Sequence, residues 1–493
     1  MAQPTLFFYD LETSGLHPDS ARIMQFAGQR VDYQLNKVGE AFNFLIQLNE
    51  DVLPDPSAIL VHGIAPQQTI LEGLTEAEFL REFYASIVTE NTTFVGYNNI
   101  RFDDEFMRFL NFRNLYDPYA WAWEQGRSRW DLLDVVRITR ALRPEGINWP
   151  LDSDAKPTNR LESLAQANKL NHISAHDALS DVEATIDLAR LIKLKQPKLF
   201  EYLFSIRVKD KAAQVIDNQQ PFIYTSRHYS SANLNTTLAI KVAPNLSTPG
   251  SFLVYDLRFD PTPWLKLSPE QLADSWRFRF DRDLEANPLL PVKTIKLNRC
   301  PAVAPSEIIR SDPETLKRLN LDMAAIDQHL KTIKSRDAQE FAGRLNKALE
   351  ILNQEQSARQ QKRKTTLDAR LYEGFYNDHD RKMLLELHAA KESASKVRDL
   401  RDKFSDHRLA QLCSFYLARN FKRELSESER SGWDKYLRRH LLGGGDNSRL
   451  ALYFKQIADL AQERTDARSQ VLLEDLKLYG ESLIPADYTG EED

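Results

Sequence analysis

Two carboxylates lie two residues apart near the start of the chain, in the run FFYDLETSGL at residues 7–16. The aromatic residues before them and the Ser-Gly pair after them predict a buried β-strand with both acids at its exit end. Because residues i and i+2 of a strand project from the same face, Asp10 and Glu12 would point into one small volume. A divalent, oxygen-preferring cation such as Mg²⁺ would relieve their repulsion. An isolated Asp-x-Glu pair is more often an ordinary turn, so the assignment depends on partners elsewhere in the chain.

A third carboxylate follows the next predicted buried strand, residues 92–97. Apolar residues recur at helical spacing over residues 102–110, which predicts a helix that starts near Asn99, with Asn99 as its N-cap. The first turn holds three acids, which the positive end of the helix dipole would favour whatever their function. Asp103 flanks the apolar stripe, so helical geometry favours it over Asp104 as the acid that faces the opening strand.

The remaining candidates belong to one long helix later in the chain. Its core stripe is formed by Leu179, Val182, Ile186, Ala189 and Ile192. Asp181 neighbours this stripe, and His176 lies five residues earlier, at or before the first turn. The two side chains could approach one site from a shared scaffold, although the pair alone is a weak indication of function.

Composition limits the class of protein. The 493 residues and 42% hydrophobic content are enough for about three domains with buried cores. The formal net charge of −6 does not indicate nucleic acid by itself, but a local basic groove can still bind phosphates. The two cysteines, far apart in sequence, give no disulfide framework and no metal knuckle, which fits a reducing cytosol. With no signal peptide and no run of about 18 apolar residues, we expect a cytoplasmic protein without membrane association.

The elements that must position these residues fall into three parts. Short β-type runs alternate with helical patterns before residue 196, which predicts an α/β layer architecture. After the connector at residues 195–198 we expect a helix at 199–216, then a small sheet or barrel, then helices over residues 313–352. The polar stretch 353–366 predicts a second linker or an exposed helix end, and helical patterns dominate after it. The expected domains are residues 1–196, 197–352 and 353–493.

Aromatic residues and arginines are interleaved between residues 108 and 137. The aromatic residues are Tyr119, Trp121, Trp123 and Trp130, and the arginines are Arg108, Arg113, Arg127, Arg129 and Arg137. This composition suits the stacking of unpaired bases along a phosphate-binding groove. Any single aromatic residue is nevertheless more often part of a core than a ligand platform. The nearby Asp131 and Asp134 are interpreted as structural residues.

The three blocks D-x-E-T-x-G, N-x-x-x-D and H-x4-D together resemble the motifs of the DEDD superfamily of 3′→5′ exonucleases, in the subgroup with a His-x4-Asp block. The resemblance implies phosphodiester hydrolysis with two Mg²⁺ ions, for which Mn²⁺ can substitute. It implies that His176 is the general base, a role that suits histidine because the unperturbed pKa of an imidazole is about 6.5, and that His172, which breaks the spacing, is dispensable. The implied metal ligands are Asp10, Glu12, Asp103 and Asp181.

Four further stretches resemble bacterial exonuclease I: GYNNIRFDDE, YDPYAWAW, SRWDLLDV and ALRPEGINWP, all within residues 96–150. The resemblance weakens through the middle of the chain and is faint in the C-terminal third. It implies an α/β nuclease domain with a ribonuclease H-like mixed sheet and flanking helices, a small SH3-like β domain and an all-α C-terminal domain. The implied activity is Mg²⁺-dependent 3′→5′ degradation of single-stranded DNA to 5′-mononucleotides by a monomer, in DNA repair and recombination.

The same resemblance implies contacts with substrate and partner. The candidates for DNA contact are Arg108, Tyr119, Trp123, Arg137 and Arg160, with Glu12, Thr13 and Asn99 near the terminal nucleotide. The family also binds the acidic, Phe-ended tail of single-strand DNA-binding protein, for which the candidates are Arg143, Tyr202 and Arg310. Two alternatives stay open at this point: an RNA-trimming or proofreading exonuclease of the same superfamily, and a non-catalytic DNA-binding scaffold. The presence of all five motif residues weighs against the scaffold.

Overall fold

The structure is a computed structural model, which describes residues 3–171, 177–277, 283, 288–361, 366–389 and 393–486. The chain forms two compact units. The first unit contains residues 1–128, 172–183 and 365–493, and the second contains residues 129–171 and 184–364. The boundaries of the three domains expected from the sequence stay a prediction.

The strands of the described residues form two five-stranded sheets. In chain order they are β1 (Thr5–Thr13), β2 (Ile23–Val31), β3 (Phe42–Leu45), β4 (Thr92–Gly96), β5 (Ser128–Asp131), β6 (Phe222–Thr225), β7 (Thr236–Pro244), β8 (Ser251–Asp256), β9 (Val292–Lys296) and β10 (Ala302–Pro305). The first sheet has the order β3-β2-β1-β4-β5 and is mixed, since β1 is antiparallel to β2 and parallel to β4. The second sheet has the order β10-β6-β7-β8-β9, and all of its pairs are antiparallel.

The α-helices accompany the two sheets and dominate the C-terminal part. Up to residue 195 they are α1 (Pro56–His62), α2 (Pro66–Glu72), α3 (Glu76–Glu82), α4 (Asp103–Arg113), α5 (Leu132–Leu142), α6 (Leu161–Asn168) and α7 (Ala178–Lys195). From residue 197 to 361 they are α8 (Pro197–Ile206), α9 (Lys209–Ile216), α10 (Pro269–Trp276), α11 (Glu307–Arg310), α12 (Pro313–Arg318), α13 (Met323–Ile333) and α14 (Phe341–Gln361). From residue 378 they are α15 (Asp378–His388), α16 (Ala394–Arg401), α17 (His407–Asn420), α18 (Glu427–Leu437), α19 (Arg449–Glu463) and α20 (Ala467–Ser482).

This architecture confirms the expected fold class, with corrections to single elements. The helix predicted at residues 199–216 is two helices, because Val208 takes an extended conformation (φ −75°, ψ 128°) between α8 and α9. For the polar stretch 353–366, the alternative of a helix end is confirmed over residues 353–361, since α14 continues to Gln361. Strands β6 and β10, four residues each, were not expected because such short runs show no clear alternation.

Strand β1 is central because its aromatic side chains fill the core of the first unit. Phe7 and Tyr9 are 0% and 2% exposed, and both contact the ring of Phe94 on β4. Trp121 packs edge-on against Phe94 with ring centroids 4.9 Å apart. The burial of these rings fixes the register of β1, and therefore which of its side chains face away from the core.

The C-terminal helices belong to the same unit and share two of its cores. Phe109 and Phe112 of α4 are buried in one cluster with Leu412 and Tyr416 of α17. A second cluster joins residues near the N-terminus to α19 and α20: Met24, Ile59, Leu450, Tyr453 and Leu476. No helix within the described ranges is long and apolar enough to span a membrane.

A chain of buried ion pairs also connects the N-terminal and C-terminal parts of the first unit. Its members, in order of contact, are Asp51, Arg419, Asp368, Arg22, Glu76 and Arg113. Charges alternate along this chain, and every side chain in it is at most 6% exposed. Alternation gives each buried charge a partner of opposite sign, which buried ions require.

Candidate active site

Strand β1 continues beyond the end of its neighbour β4. The parallel pairing with β4 stops at Phe8, whereas the antiparallel pairing with β2 continues to Thr13. Asp10 and Glu12 therefore extend beyond the end of β4 on the face opposite Tyr9. Gly96 is the last residue of β4, and the side chain of Asn99 lies close to its Cα. A Cβ at residue 96 would lie 2.6 Å from the Cβ of Asn99. The chain can turn from β4 toward α4 at this point because residue 96 has no side chain.

Asp181 lies in the first turn of α7 and joins the two acids of β1. One carboxylate oxygen from each of Asp10, Glu12 and Asp181 can be chosen so that all three lie within 4.8 Å of one another. The three residues are partly buried. Oxygen donors at this spacing suit a hard divalent cation such as Mg²⁺ or Mn²⁺.

Burial and mutual repulsion disfavour the ionised carboxylates of Asp10 and Glu12. Burial, followed by repulsion from Asp181, Asp103 and Asp177, raises the pKa of Glu12 to about 9. Burial, and then repulsion from Asp103, raises the pKa of Asp10 well above its ordinary value. Carboxylates with such pKa values hold protons unless a cation replaces them, so the donor set fits a metal site.

The structure distinguishes the two neighbouring acids at the start of α4. Asp104 is fully buried, and its Oδ1 accepts a 2.5 Å hydrogen bond from the hydroxyl of Tyr9 on the core face of β1. Asp103 is 3% exposed and is the carboxylate that most strongly raises the pKa of Asp10. Asp103 is thus the acid of this pair that raises the pKa of Asp10, and its role as a metal ligand stays a prediction.

Asn99 is not the N-cap of α4, and that prediction was wrong. Asn98 takes a left-handed conformation (φ 70°), and a short 3-10 turn, Asn99–Arg101, precedes the helix. The α-helix starts only at Asp103, after Phe102, which makes no side-chain cap. The buried amide of Asn99 lies 3.5 Å from Asp104 instead. Thr13, the other candidate near the terminal nucleotide, is buried and donates to the carbonyl of Gly15 at 2.9 Å.

His176 and His172 lie outside the described residues. Asp177, which follows His176 directly, was missed by the sequence analysis although it lies one helical turn before Asp181. Its carboxylate accepts the backbone N–H of Ser180 at 3.0 Å and so caps the start of α7. An Asp immediately before an apolar helical stripe is an N-cap pattern that the sequence does contain.

The aromatic segment divides into core and surface. Trp121 and Trp130 are 1% and 2% exposed and belong to the core, whereas Trp123 is 61% exposed. Arg108 stacks on the ring of Tyr119 at 5.4 Å and forms an ion pair with Glu105 at 2.7 Å. Of the four aromatic residues proposed to stack on bases, Tyr119 and Trp123 therefore remain candidates, whereas Trp121 and Trp130 are too buried to reach a base.

Two further aromatic residues, missed in the sequence, extend this surface within the first unit. Phe375 is 78% exposed, and its ring lies 5.7 Å from that of Tyr119. Tyr372 is 59% exposed and donates its hydroxyl to Glu105, the partner of Arg108. We call the exposed Trp123, Tyr372 and Phe375, together with the half-buried Tyr119, the exposed aromatic group.

The other candidate contact residues belong to the second unit. Arg137 forms a 2.7 Å ion pair with the buried Asp134, and Arg160 is exposed. The candidates for partner binding are only partly exposed. Arg143 lies 3.9 Å from Asp312, Arg310 lies 3.1 Å from Asp327, and the hydroxyl of Tyr202 donates to the carbonyl of Val303 at 3.2 Å.

Comparisons with known families cover almost the whole chain. Residues 7–189 match the family described as Exonuclease. Residues 207–350 match the Exonuclease I SH3-like domain, and residues 365–483 match the Exonuclease I C-terminal domain. Exodeoxyribonuclease I of Escherichia coli (strain K12) is 36% identical over 492 residues, which cover 98% of each chain. The chain belongs to the exonuclease I family.

Solved structures of exonuclease I agree with this membership. E. coli exonuclease I in complex with a dA16 oligonucleotide superposes with a TM-score of 0.89 at 34% identity, covering 98% of this chain and 100% of that one. A structure of SSB/exonuclease I with the inhibitor CFAM has a TM-score of 0.86 at 33% identity, with the same coverage. The protein is an exonuclease, and its middle β domain is the SH3-like domain expected from the sequence.

For an exonuclease of this family, the acidic cluster is the natural place for chemistry. The exonuclease family implies dependence on a divalent metal, and the cluster of Asp10, Glu12 and Asp181 supplies oxygen donors for one. Burial of Glu12 is the main cause of its elevated pKa, and repulsion from the neighbouring carboxylates adds to it. Asp10, Glu12 and Asp181, which the sequence motifs indicate, thus lie together in the structure, and their role as metal ligands stays a prediction.

Proposed function

We propose that this exonuclease I family member removes nucleotides from the 3′ end of single-stranded DNA with Mg²⁺ and releases 5′-mononucleotides. The proposal includes a role in DNA repair and recombination, in the cytoplasm and as a monomer. It also includes the division of the chain into a nuclease domain (1–196), an SH3-like domain (197–352) and a helical domain (353–493). The main support for the proposed metal-dependent reaction is that carboxylate oxygens from β1 and α7 lie within 4.8 Å of one another.

The roles of the residues follow from their charge and position. Asp10, Glu12 and Asp181 would hold two metal ions, with Asp103 as the fourth carboxylate. A pair of divalent cations, when bound there, would supply positive charge to the scissile phosphate and lower the pKa of a bound water. The carboxylates would act on the reacting phosphate by holding the cations that attract it, and His176 would take the proton from the attacking water.

Single-stranded DNA as the substrate is supported by the surface of the first unit. The exposed aromatic group presents rings that can stack on bases, and Arg108 lies against one of them. The similar E. coli enzyme was solved with a single-stranded oligonucleotide, dA16. Arg137 and Arg160 of the second unit, with Glu12, Thr13 and Asn99 of the first, complete the proposed DNA contacts.

Binding of the single-strand DNA-binding protein is proposed from one of the similar structures, which is described as SSB/exonuclease I. The acidic tail of that partner would need cations and an aromatic neighbour. In the second unit the cations would be Arg143 and Arg310, and the aromatic neighbour would be Tyr202. The side chains of the two arginines are 40% and 39% exposed. Arg143→Glu is expected to weaken binding of a peptide with the tail sequence, measured by fluorescence anisotropy.

A labelled oligonucleotide tests the polarity, substrate and metal together. With a 5′ label and Mg²⁺, a single-stranded DNA oligonucleotide should shorten stepwise, and a 3′ label should appear at once as a mononucleotide. EDTA should stop the reaction, and Asp181→Ala should abolish it. Loss of the label from the 5′ end first, or undiminished shortening by Asp181→Ala, would show that the proposal is wrong.

The alternatives are separated by the same assay. An RNA oligonucleotide of the same sequence should be degraded far more slowly, whereas a preference for RNA would favour an RNA-trimming enzyme. Binding without any turnover in the presence of Mg²⁺ or Mn²⁺ would favour a non-catalytic scaffold.

A further inference from the structure

The side chain of Gln25 connects the strand that carries Glu12 to the helix that carries Asp181. Gln25 lies on β2 directly opposite Glu12 in the antiparallel register, and it is 5% exposed. Its amide is shared between β3 and the start of α7, and each of its polar atoms has a partner. Gln25 matches none of the three sequence motifs, and it is not a metal ligand.

The amide of Gln25 makes three hydrogen bonds. Its Oε1 accepts the backbone N–H of Ala178, the first residue of α7, at 3.3 Å. Its Nε2 donates to the carboxylate of Asp177 at 3.4 Å and to Oδ1 of Asn43 at 3.0 Å. A flipped amide would place Oε1 against the carboxylate of Asp177 and the NH₂ group against the N–H of Ala178, so these two contacts fix the orientation.

These contacts lie one helical turn before a proposed metal ligand. The carbonyl of Asp177 accepts the backbone N–H of Asp181 at 3.0 Å, and its carboxylate caps the helix at Ser180. A shift of Asp177 therefore moves Asp181 relative to Asp10 and Glu12. Since three carboxylates must converge within 4.8 Å, a small shift of the helix changes the geometry offered to a cation.

We propose that Gln25 is a positioning residue that holds α7 against β1 and so sets the affinity of the Asp10, Glu12 and Asp181 cluster for divalent cations. The inference rests on the proposed metal-dependent function. A neutral amide suits this place for a physical reason. A lysine would bring a competing positive charge to the cluster, and an acid would add repulsion to a group of carboxylates that already repel one another.

Gln29 offers a matched control on the same strand. It is 2% exposed, and its Nε2 donates to the carbonyls of Arg30, Val38 and Gly39 at 2.8, 3.4 and 3.3 Å. Gln29 thus has a similar burial and a similar number of hydrogen bonds, but none of these reaches α7. Replacing either glutamine by leucine removes buried hydrogen bonds, and only Gln25→Leu releases the helix that carries Asp181.

The test is binding of Mn²⁺ to the full chain, followed by electron paramagnetic resonance of free Mn²⁺, with thermal unfolding in EDTA as the measure of stability. We expect Gln25→Leu to raise the dissociation constant about 10–100-fold, the range for residues that orient metal ligands. Gln29→Leu should lower the unfolding temperature similarly and leave the dissociation constant within about 2-fold. Equal effects of the two variants on Mn²⁺ binding, or no effect of Gln25→Leu, would overturn the inference.

A milder variant covers the case in which Gln25→Leu does not fold. Asn43 is exposed, so Asn43→Ala should fold, and it removes one partner of the Gln25 amide. A several-fold weaker binding of Mn²⁺ by Asn43→Ala would support the inference, and unchanged binding would overturn it. If the unmutated protein binds no Mn²⁺, the proposed metal-dependent function itself fails, which separates that outcome from failure of the inference about Gln25.

Discussion

Replacing Arg419 by methionine should strongly destabilise the first unit. The guanidinium of Arg419 donates to both carboxylate oxygens of Asp51, at 3.3 and 2.6 Å, and lies 2.8 Å from Asp368. These side chains are 3%, 2% and 6% exposed, so water cannot replace the lost cation. Burial alone would raise the pKa of Asp368, yet Arg419 and Arg22 hold it well below its usual range. This shows how strongly the carboxylate depends on its two cations.

The expected loss in the free energy of unfolding comes from buried carboxylates that lose their cation in Arg419→Met. Asp368 keeps Arg22 at 2.5 Å in the variant, but Asp51 loses the cation that contacts both of its oxygens. Breaking a buried pair on one side costs about 3–5 kcal/mol, and we expect a loss in this range. Adding Asp51→Asn to Arg419→Met should recover at least about 1 kcal/mol, since it removes the charge left alone.

Urea unfolding followed by circular dichroism measures these free energies, with Lys422→Met as the matched control. Lys422 lies three residues after Arg419 and forms an ion pair at 2.6 Å with Glu50, the residue before Asp51. These two side chains, however, are 61% and 33% exposed. The loss of such an exposed pair should cost less than about 1 kcal/mol. Equal losses for Lys422→Met and Arg419→Met, or a loss below about 1 kcal/mol for Arg419→Met, would refute the reasoning.

Four further outcomes are expected. Asp103→Asn should weaken Mn²⁺ binding by more than about 100-fold while Asp104→Asn changes it far less, measured by titration calorimetry; equal effects would contradict the assignment of these two acids. His176→Ala should lower kcat by roughly 100-fold or more with oligonucleotide affinity retained, and a loss confined to binding would exclude a general base. Trp123→Ala should weaken oligo-dT binding by about 1–3 kcal/mol in fluorescence anisotropy with Ca²⁺ in place of Mg²⁺, and an unchanged affinity would remove this exposed ring from the DNA surface. Burial lowers the pKa of His440 to about 4, so as pH falls from about 6.5 toward 4 the unfolded chain binds a proton at His440 before the folded protein does, and stability is lost. In urea unfolding at pH 5, His440→Phe should recover about 1–2 kcal/mol of that loss. The same pH dependence of stability in the variant and the unmutated protein would contradict this role of His440.

The parts of the site that the sequence could predict are those with local patterns. Asp10 and Glu12 belong to one strand, and the alternation of that strand places them on one face without knowledge of any partner. The preference for Asp103 over Asp104 also came from a local rule, the position of each acid relative to an apolar helical stripe. The α/β architecture of the N-terminal part followed from the order of such patterns along the chain, whereas the ribonuclease H-like sheet and the SH3-like domain were implied by the resemblance to exonuclease I.

The parts that could not be predicted depend on contacts between distant residues. The hydrogen bond from Gln25 to Asp177 joins residues 152 apart, and that from Tyr372 to Glu105 joins residues 267 apart. Trp121 and Trp123 are two residues apart in the same aromatic run, yet one is 1% exposed and the other 61%. A short 3-10 turn at residues 120–122 directs them differently, and no periodicity distinguishes them beforehand.

A crystal of the protein soaked with Mn²⁺ and a short oligo-dT would show whether the acidic cluster holds two metal ions at the 3′ end of the DNA. Anomalous difference maps should show two Mn²⁺ peaks about 4 Å apart among the carboxylates of Asp10, Glu12, Asp103 and Asp181. The 3′-terminal phosphodiester of the oligonucleotide should lie against both peaks. Mn²⁺ bound away from these carboxylates, or an oligonucleotide with its 5′ end at the cluster, would contradict the account.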